Sequence, residues 1–252
     1  MELTVLGCSG SGAGPYSAAS GYLVRTPRTA LVLDLGNGAF GVLQRHIDPF
    51  DLDAVILSHL HPDHCADVSG LVVYRRYHPK GPGPVLPLYG PSESEVRLAV
   101  AYAPSSDERV ATDLSDVLAH HAFRAGPACL GDVALTSATV DHPCEAYAVR
   151  LEHRGRSLVY SGDTGPCRTL VELADSADVL LCEATWSDQP DRPSGVHLSG
   201  RQAGRTAREA GVKRLLLTHV PAWVDAPALL AEARAEYPGP AELVVPDGHY
   251  TI

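Results

Sequence analysis

The apolar run at 54–57 leads straight into Ser58-His59-Leu60-His61-Pro62-Asp63-His64, and nothing else in the chain constrains its fold as tightly. His59 and His61 are two residues apart, so in an extended chain they point to the same side. Pro62 discourages regular strand pairing and turns the chain. Asp63 and His64 follow on that turn, where they can face the same space. Imidazoles and a carboxylate at the carboxyl end of a buried strand suit Zn2+ or a similar divalent cation. A solvated, histidine-rich loop is the plainer alternative, but such loops rarely follow a buried strand in this order.

Three other apolar runs end the same way. Residues 133–140 run into Asp141-His142, 158–161 into Gly162-Asp163-Thr164, and 215–218 into His219. A lone histidine after a strand is more often structural, and Gly-Asp-Thr alone is an ordinary turn. The weight lies in the repetition, because ligand sites in layered sheets form beyond the carboxyl ends of strands. His59, His61 and His142 would make one set and Asp63, His64 and His219 another, with Asp163 shared between them. Each cation would then keep an open position, as catalytic sites do. Two such ions about 3.5–4 Å apart can hold a hydroxide and offset charge on a phosphorane or oxyanion.

Short apolar runs alternate with helical patterns along the rest of the chain. Strands are predicted at 3–6, 22–25, 30–35, 54–57, 85–89, 133–139, 146–151, 157–161, 179–182, 214–218 and 242–245. Helices are predicted at 38–46, 65–77, 92–102, 168–174, 199–210 and 226–236. This mixture suggests sheets covered by helices, an α/β architecture, rather than a pure βαβ winding. The turn-rich stretch 78–84 interrupts the alternation only briefly, so residues 1–252 are read as one domain.

Composition narrows the function classes. With 30 Asp+Glu against 20 Lys+Arg the net charge is −10, which disfavours non-specific nucleic-acid binding through phosphate neutralisation. No apolar run is long enough to span a bilayer, so no membrane partner is expected. The N-terminus lacks the basic and apolar regions of a secretory signal. The six cysteines have no CxxC spacing and are read as reduced thiols. The expected location is therefore cytoplasmic.

These motifs resemble those of the metallo-β-lactamase fold superfamily, whose signature is His-x-His-x-Asp-His. The resemblance begins at Leu6-Gly7-Cys8-Ser9-Gly10-Ser11 and continues through Leu33-Asp34-Leu35-Gly36, residues 59–64, His142, Ser161-Gly162-Asp163-Thr164 and Thr218-His219. It implies a four-layer αβ/βα sandwich with a dinuclear site at one edge. It also implies the ligands already counted: His59, His61, Asp63, His64, His142, Asp163 and His219. Zinc is the expected metal, with manganese or iron as alternatives.

Within the superfamily the chain is similar to tRNase Z and its phosphodiesterase relatives, through Cys182-Glu183-Ala184-Thr185 and Gly195-Val196-His197-Leu198-Ser199. That likeness gives His197 the role of assisting the leaving oxygen, with Glu183 orienting it. Asp63, His197 and Glu183 are thus the expected catalytic residues. An alkoxide leaving group needs a proton, and histidine can donate one near neutral pH. The tRNA-processing enzymes carry a long arm between their third and fourth motifs. Here the span from His142 to Asp163 holds two strand-like segments and a turn, with no room for an arm. Arm-less relatives act on cyclic nucleotides, so a small phosphodiester is the expected substrate and RNA is not favoured. Pro62 falls at a variable position of the signature. The resemblance also suggests a homodimer. The alternatives are a tRNA 3′-end endoribonuclease, a lactone, thioester or β-lactam hydrolase, and a metal-stabilised binding protein.

Several residues lie outside the motifs. Asp34 is expected to fix a ligand histidine from behind, and Asp67 to lie near the site. Residues 7–14 are read as a tight turn at the metal rim, with Ser9 or Ser11 near substrate. Trp186 and Trp223 could stack on a base, but with few Phe in the chain they are read first as core. Arg75 and Arg76 are read as a solvated helix end, and His46, His120 and His121 as surface or structural. Cys65 is surplus to the ligand set.

Overall fold

The computed structural model describes residues 1–124 and 126–252. Its strands in chain order are β1 Glu2–Ser9, β2 Ala18–Ala19, β3 Gly21–Arg25, β4 Ala30–Leu35, β5 Ala54–Ile56, β6 Leu86–Gly90, β7 Leu118–Ala122, β8 Ala128–Leu130, β9 Val133–Thr139, β10 Tyr147–His153, β11 Arg156–Tyr160, β12 Val179–Glu183, β13 Leu215–Thr218, β14 Ala241–Leu243 and β15 His249–Thr251. Its α-helices are α1 Ala39–Leu43, α2 Pro62–Cys65, α3 Val68–Tyr77, α4 Ser94–Tyr102, α5 Arg168–Leu173, α6 Gly200–Glu209 and α7 Ala226–Glu236.

Among the described residues these strands form two sheets. One runs β15-β1-β3-β4-β5-β6-β7 with β2 beside β1, and the other β14-β13-β12-β11-β10-β9-β8. Alternation along the strands builds the layers. Leu31 and Leu33 of β4 turn to one side and join Leu158, Tyr160 and Leu181 in a core between the sheets. Their neighbour Val32 turns to the other side, and so does Leu35 because the left-handed backbone at Asp34 (φ 54) breaks the alternation; both pack with Leu43, Leu71 and Leu98 of α1, α3 and α4. On the second sheet, Val159, Leu180 and Leu217 likewise meet Leu170, Ala203 and Leu229 of α5, α6 and α7. Helix, sheet, sheet, helix is the αβ/βα order expected from the sequence. Strands buried on both faces also explain why these runs read as nearly continuous apolar stretches.

The sequence reading and the structure differ in places. The helix expected at 65–77 is two, α2 and α3, because Asp67 is drawn toward the neighbouring elements: its N–H bonds to the Leu35 carbonyl and its carboxylate accepts from Phe40 N. Asp67 thus serves α1 and not the metal-facing groups. The helix expected at 38–46 is regular only over α1. β2, β7, β8 and β15 lie outside the strands predicted from the sequence. β7 reads Leu-Ala-His-His-Ala and has only one apolar face position with a large side chain, so its pairing with β6 has little local signal. His120 and His121 lie on that edge strand, where His121 stacks on Tyr89.

Arg75 and Arg76 are not a solvated helix end. Arg75 is buried, with its guanidinium donating to the Pro49 and Pro84 carbonyls, so it ties α3 to two loops. Arg76 is paired with Asp116.

Candidate metal centre

The parallel strands β4 and β5 of one sheet, and β11, β12 and β13 of the other, bring their carboxyl ends to the same edge of the sandwich. β5 delivers Ser58 and His59, β11 delivers Asp163, β12 ends on Glu183 and β13 runs into His219. Pro62 occupies the start of α2, where its missing N–H costs nothing. The helical turn that follows aims Asp63 and His64 inward.

The seven expected ligands converge into two adjoining groups. Ligand atoms of His59, His61 and His142 lie within 4.8 Å of one another, as do those of Asp63, His64, Asp163 and His219. Asp163 Oδ2 stands 3.3 Å from His219 Nε2 and 3.7 Å from His59 Nε2, so it belongs to the second group and lies within reach of His59 in the first. His59, His64, Asp163 and His219 are buried, whereas His61 faces solvent.

Asp34 is the anchor behind the site, as expected. Its Oδ1 accepts from Ser58 N at 2.7 Å, and its Oδ2 accepts from Ser58 Oγ, Tyr160 Oη and His64 Nδ1, each at 2.7 Å. One buried carboxylate thereby fixes the residue before His59, one ligand histidine and a tyrosine of the opposite sheet. Ser20 Oγ holds His219 Nδ1 at 2.9 Å, and Ser11 N donates to His219 Nε2 at 3.4 Å. Ser20 and Tyr160 were not singled out from the sequence. Each is one polar residue in an apolar strand context, and only the tertiary pairing shows its use.

Two glycines make room for the rim. A Cβ on Gly36 would lie 1.9 Å from the Asp63 carbonyl, and one on Gly10 would lie 2.3 Å from the His219 carbonyl. Neither position accepts a side chain without moving a metal-facing residue.

The donor set fits cations. His142 Nδ1 donates to the Val196 carbonyl at 2.9 Å, which leaves its Nε2 as a lone pair directed at His61 Nδ1, 3.3 Å away. His64 donates through Nδ1 to Asp34, which leaves its Nε2 facing Asp163 Oδ1 at 3.2 Å. Both His64 Nε2 and Asp163 Oδ1 are buried without a hydrogen-bond partner. Lone pairs aimed at one another in a buried space are costly, and a divalent cation in each group removes that cost. Burial pulls the His64 pKa down, but the Asp163 and Asp34 carboxylates more than offset it and raise it well above the usual imidazole range, so in the absence of a cation a proton takes the place between His64 and Asp163 that a cation would hold. Burial would push the Asp163 carboxyl up, but the His219, His64 and His59 imidazoles more than offset it and hold it well below the usual carboxylate range. Burial, reinforced by His64, holds His59 well below the usual imidazole range, so it is neutral and able to ligate.

A third group adjoins these two. Glu183 Oε1 accepts from Thr164 N at 2.7 Å and from His197 Nδ1 at 3.0 Å, while Oε2 accepts from Thr185 Oγ1 at 2.7 Å. Burial pulls the His197 pKa down, but the Glu183 carboxylate, by charge and hydrogen bond, and Asp163 beyond it more than offset this and raise it. The His197 ring centre is 5.6 Å from that of His219 and 5.7 Å from that of His142. The capping box of Ser199 and Gln202 at the start of α6 fixes the backbone just beyond it.

Cys65 bonds to the Leu60 carbonyl, outside the ligand set. Trp186 and Trp223 are not core. Trp223 is 75% exposed and both line a cavity beside His197, because the chain after β12 and after β13 turns outward at the rim. Among the described residues no helix is long and apolar enough to cross a membrane.

Known proteins resemble this chain in sequence and fold. A sequence profile of the beta-lactamase superfamily domain matches residues 31–220. A protein of Mycobacterium leprae described as uncharacterized is 51% identical over 97% of this chain and 86% of its own length. The Ribonuclease Z of Myxococcus xanthus is 30% identical over 96% of this chain and 95% of its own. The crystal structure of the metallo-beta-lactamase fold protein YhfI from Bacillus subtilis superposes with a TM-score of 0.86 at 28% identity, covering 99% of each chain.

Proposed function

The chain belongs to the beta-lactamase superfamily, and on that premise we propose that it is a dinuclear metal-dependent phosphodiesterase acting on a small phosphodiester, by first choice a cyclic nucleotide. His59, His61 and His142 would hold one ion and Asp63, His64 and His219 the other, with Asp163 reaching both. Two divalent ions, zinc by the chemistry of the donors, supply Lewis acidity that activates water and offsets charge on the phosphoryl oxygens when bound.

The observation that carries the phosphodiester reading is the His197–Glu183 pair. Glu183 is saturated by Thr164, Thr185 and His197, so it fixes the imidazole and favours its charged form. His197 Nδ1 is committed to Glu183, which leaves Nε2 as the atom that donates to a departing alkoxide. A lactone also expels an alkoxide, so the pair favours the phosphodiester over the acyl alternative only together with the likeness of residues 182–199 to the tRNase Z branch. The likeness to Ribonuclease Z keeps a tRNA 3′-end activity as the second reading. Against it stands the span from His142 to Asp163, which is occupied by the β10–β11 hairpin and leaves no arm to grip a tRNA. A cytoplasmic location and a homodimeric state belong to the same proposal.

The test varies the leaving group. His197→Ala is expected to keep its metal content and to retain most activity on bis(p-nitrophenyl) phosphate, whose leaving group departs without a proton. On cyclic AMP the same variant should lose about 10^2-fold or more in kcat. Equal losses on both substrates would remove His197 as the acid. Turnover of a lactone with no phosphodiester turnover would replace this reading with the acyl one.

A further inference from the structure

Beside His197 the surface opens into a cavity of about 530 Å3 that Trp186, Arg192 and Trp223 help to line. The Trp186 ring stands edge-on to His197, with centroids 5.1 Å apart and planes at 85°. The Arg192 guanidinium lies 5.5 Å from the Trp186 ring centre, a cation–π distance. Backbone pairing of Trp186 with Ser199 and the turn bond from Val224 N to the Pro221 carbonyl fix the two segments that carry the indoles. An indole left mainly in water forgoes one of the larger burial gains a side chain can make. Placed on the wall of a cavity next to a reactive centre, it is a recognition surface.

We propose that this cavity is a nucleoside subsite on the leaving-group side of the reaction, with Trp223 stacking on the base and Trp186 and Arg192 closing the wall beside His197. The proposal rests on the phosphodiesterase reading above for its orientation. If His197 protonates the leaving oxygen, the group carrying that oxygen occupies the space that His197 lines. In a cyclic nucleotide the leaving oxygen belongs to the ribose, so the base lies in the same space. Two of the polar side chains around the cavity are engaged elsewhere, as Asp225 accepts from Ala228 N as a helix cap and Thr185 donates to Glu183, and the Arg192 guanidinium faces the Trp186 ring. Selection therefore works through the flat face of the base more than through its edge, which makes it tolerant of base identity.

Trp186 and Trp223 are the only two tryptophans in the chain, so fluorescence excited selectively at tryptophan reports on this cavity. Adenosine is expected to change that fluorescence saturably, and free ribose to leave it unchanged. Followed through Trp186, Trp223→Ala should weaken adenosine at least about fivefold, and Trp223→Phe should recover most of the loss. In the metal-loaded enzyme the preference for cyclic AMP over methyl riboside 3′,5′-cyclic phosphate, which has the same leaving oxygen and no base, should fall by a similar factor in Trp223→Ala. An unresponsive fluorescence, or an unchanged adenosine affinity in Trp223→Ala, overturns the subsite even if phosphodiesters are turned over. Adenosine binding without hydrolysis of any phosphodiester overturns the proposed reaction and leaves the subsite standing.

Discussion

Replacing Asp34 by asparagine keeps the shape of the side chain and removes its charge, which isolates what this buried carboxylate does. Oδ2 takes three donors, from Ser58 Oγ, Tyr160 Oη and His64 Nδ1, whereas Oδ1 takes only Ser58 N. The amide therefore settles with its oxygen toward the three donors, and its NH2 group then faces the Ser58 N–H. One charge-assisted bond is lost outright and the other three weaken. A hydrogen bond to a charged group contributes about 1.5–3 kcal/mol, and hydroxyl donors can turn to recover part of that. The expected destabilisation of the metal-free protein is about 2–3 kcal/mol, read as a lower urea midpoint with an unchanged slope. Because His64 Nδ1 then bonds to a neutral amide oxygen in place of a carboxylate, the imidazole is a weaker donor and metal affinity should also fall by about 10–100-fold in a competition titration with a chelator. A variant with parental stability and parental metal affinity would refute the claim that Asp34 organises the site.

Other outcomes follow from the same geometry. His59→Ala and Asp163→Ala should each lose bound metal, measured by atomic emission, together with turnover; a fully active His59→Ala enzyme would exclude the proposed ligand set. The Asp178 carboxyl, although burial acts the other way, is pulled down to about 2 by Lys213, the Ser157 N–H and Arg156. Its folded pKa therefore lies below the unfolded value, so its contribution is present above about pH 4 and is lost as pH falls toward 2. With Lys213 and Arg156 both exposed, the effect is on the order of 1 kcal/mol. Asp178→Asn should flatten the acid limb of a stability–pH curve by that amount, and an identical acid limb in both proteins would contradict the assignment.

How far the sequence reveals this arrangement depends on whether a residue's role is local. The 59–64 segment carries its own meaning, because strand alternation and Pro62 already dictate where its side chains go. Asp163 and His219 become legible through repetition, each standing at the end of an apolar run, and the layered fold follows from the runs themselves. Ser20 and Tyr160 lack any such signal. Their hydroxyls matter only once the chain before β3 meets the end of β13, and β11 meets β4, across the two sheets, pairings of residues far apart in the chain. β7 was missed for a related reason, since a histidine-rich edge strand is stabilised by its partner β6 and not by its own composition. The tryptophans misled in the opposite direction. Composition argues that scarce large aromatics belong inside, yet position just beyond β12 and β13 places them at the rim.

The metal-facing histidines show why ligands alone do not make the centre. A neutral imidazole has one lone pair, and the hydrogen bond at its other nitrogen decides where that lone pair points. His64 is set by the Asp34 carboxylate, His142 by the Val196 carbonyl and His219 by the Ser20 hydroxyl. Val196 is the residue directly before His197, so the backbone that orients one ligand also carries the proposed acid. Asp34 is likewise bonded to Ser58, the neighbour of His59. Each candidate ligand group is therefore tied through backbone to a second element of the site, the first group to His197 and the second to the strand end that bears the first. Disturbing either support should change metal affinity and turnover together, whereas His197→Ala should separate them.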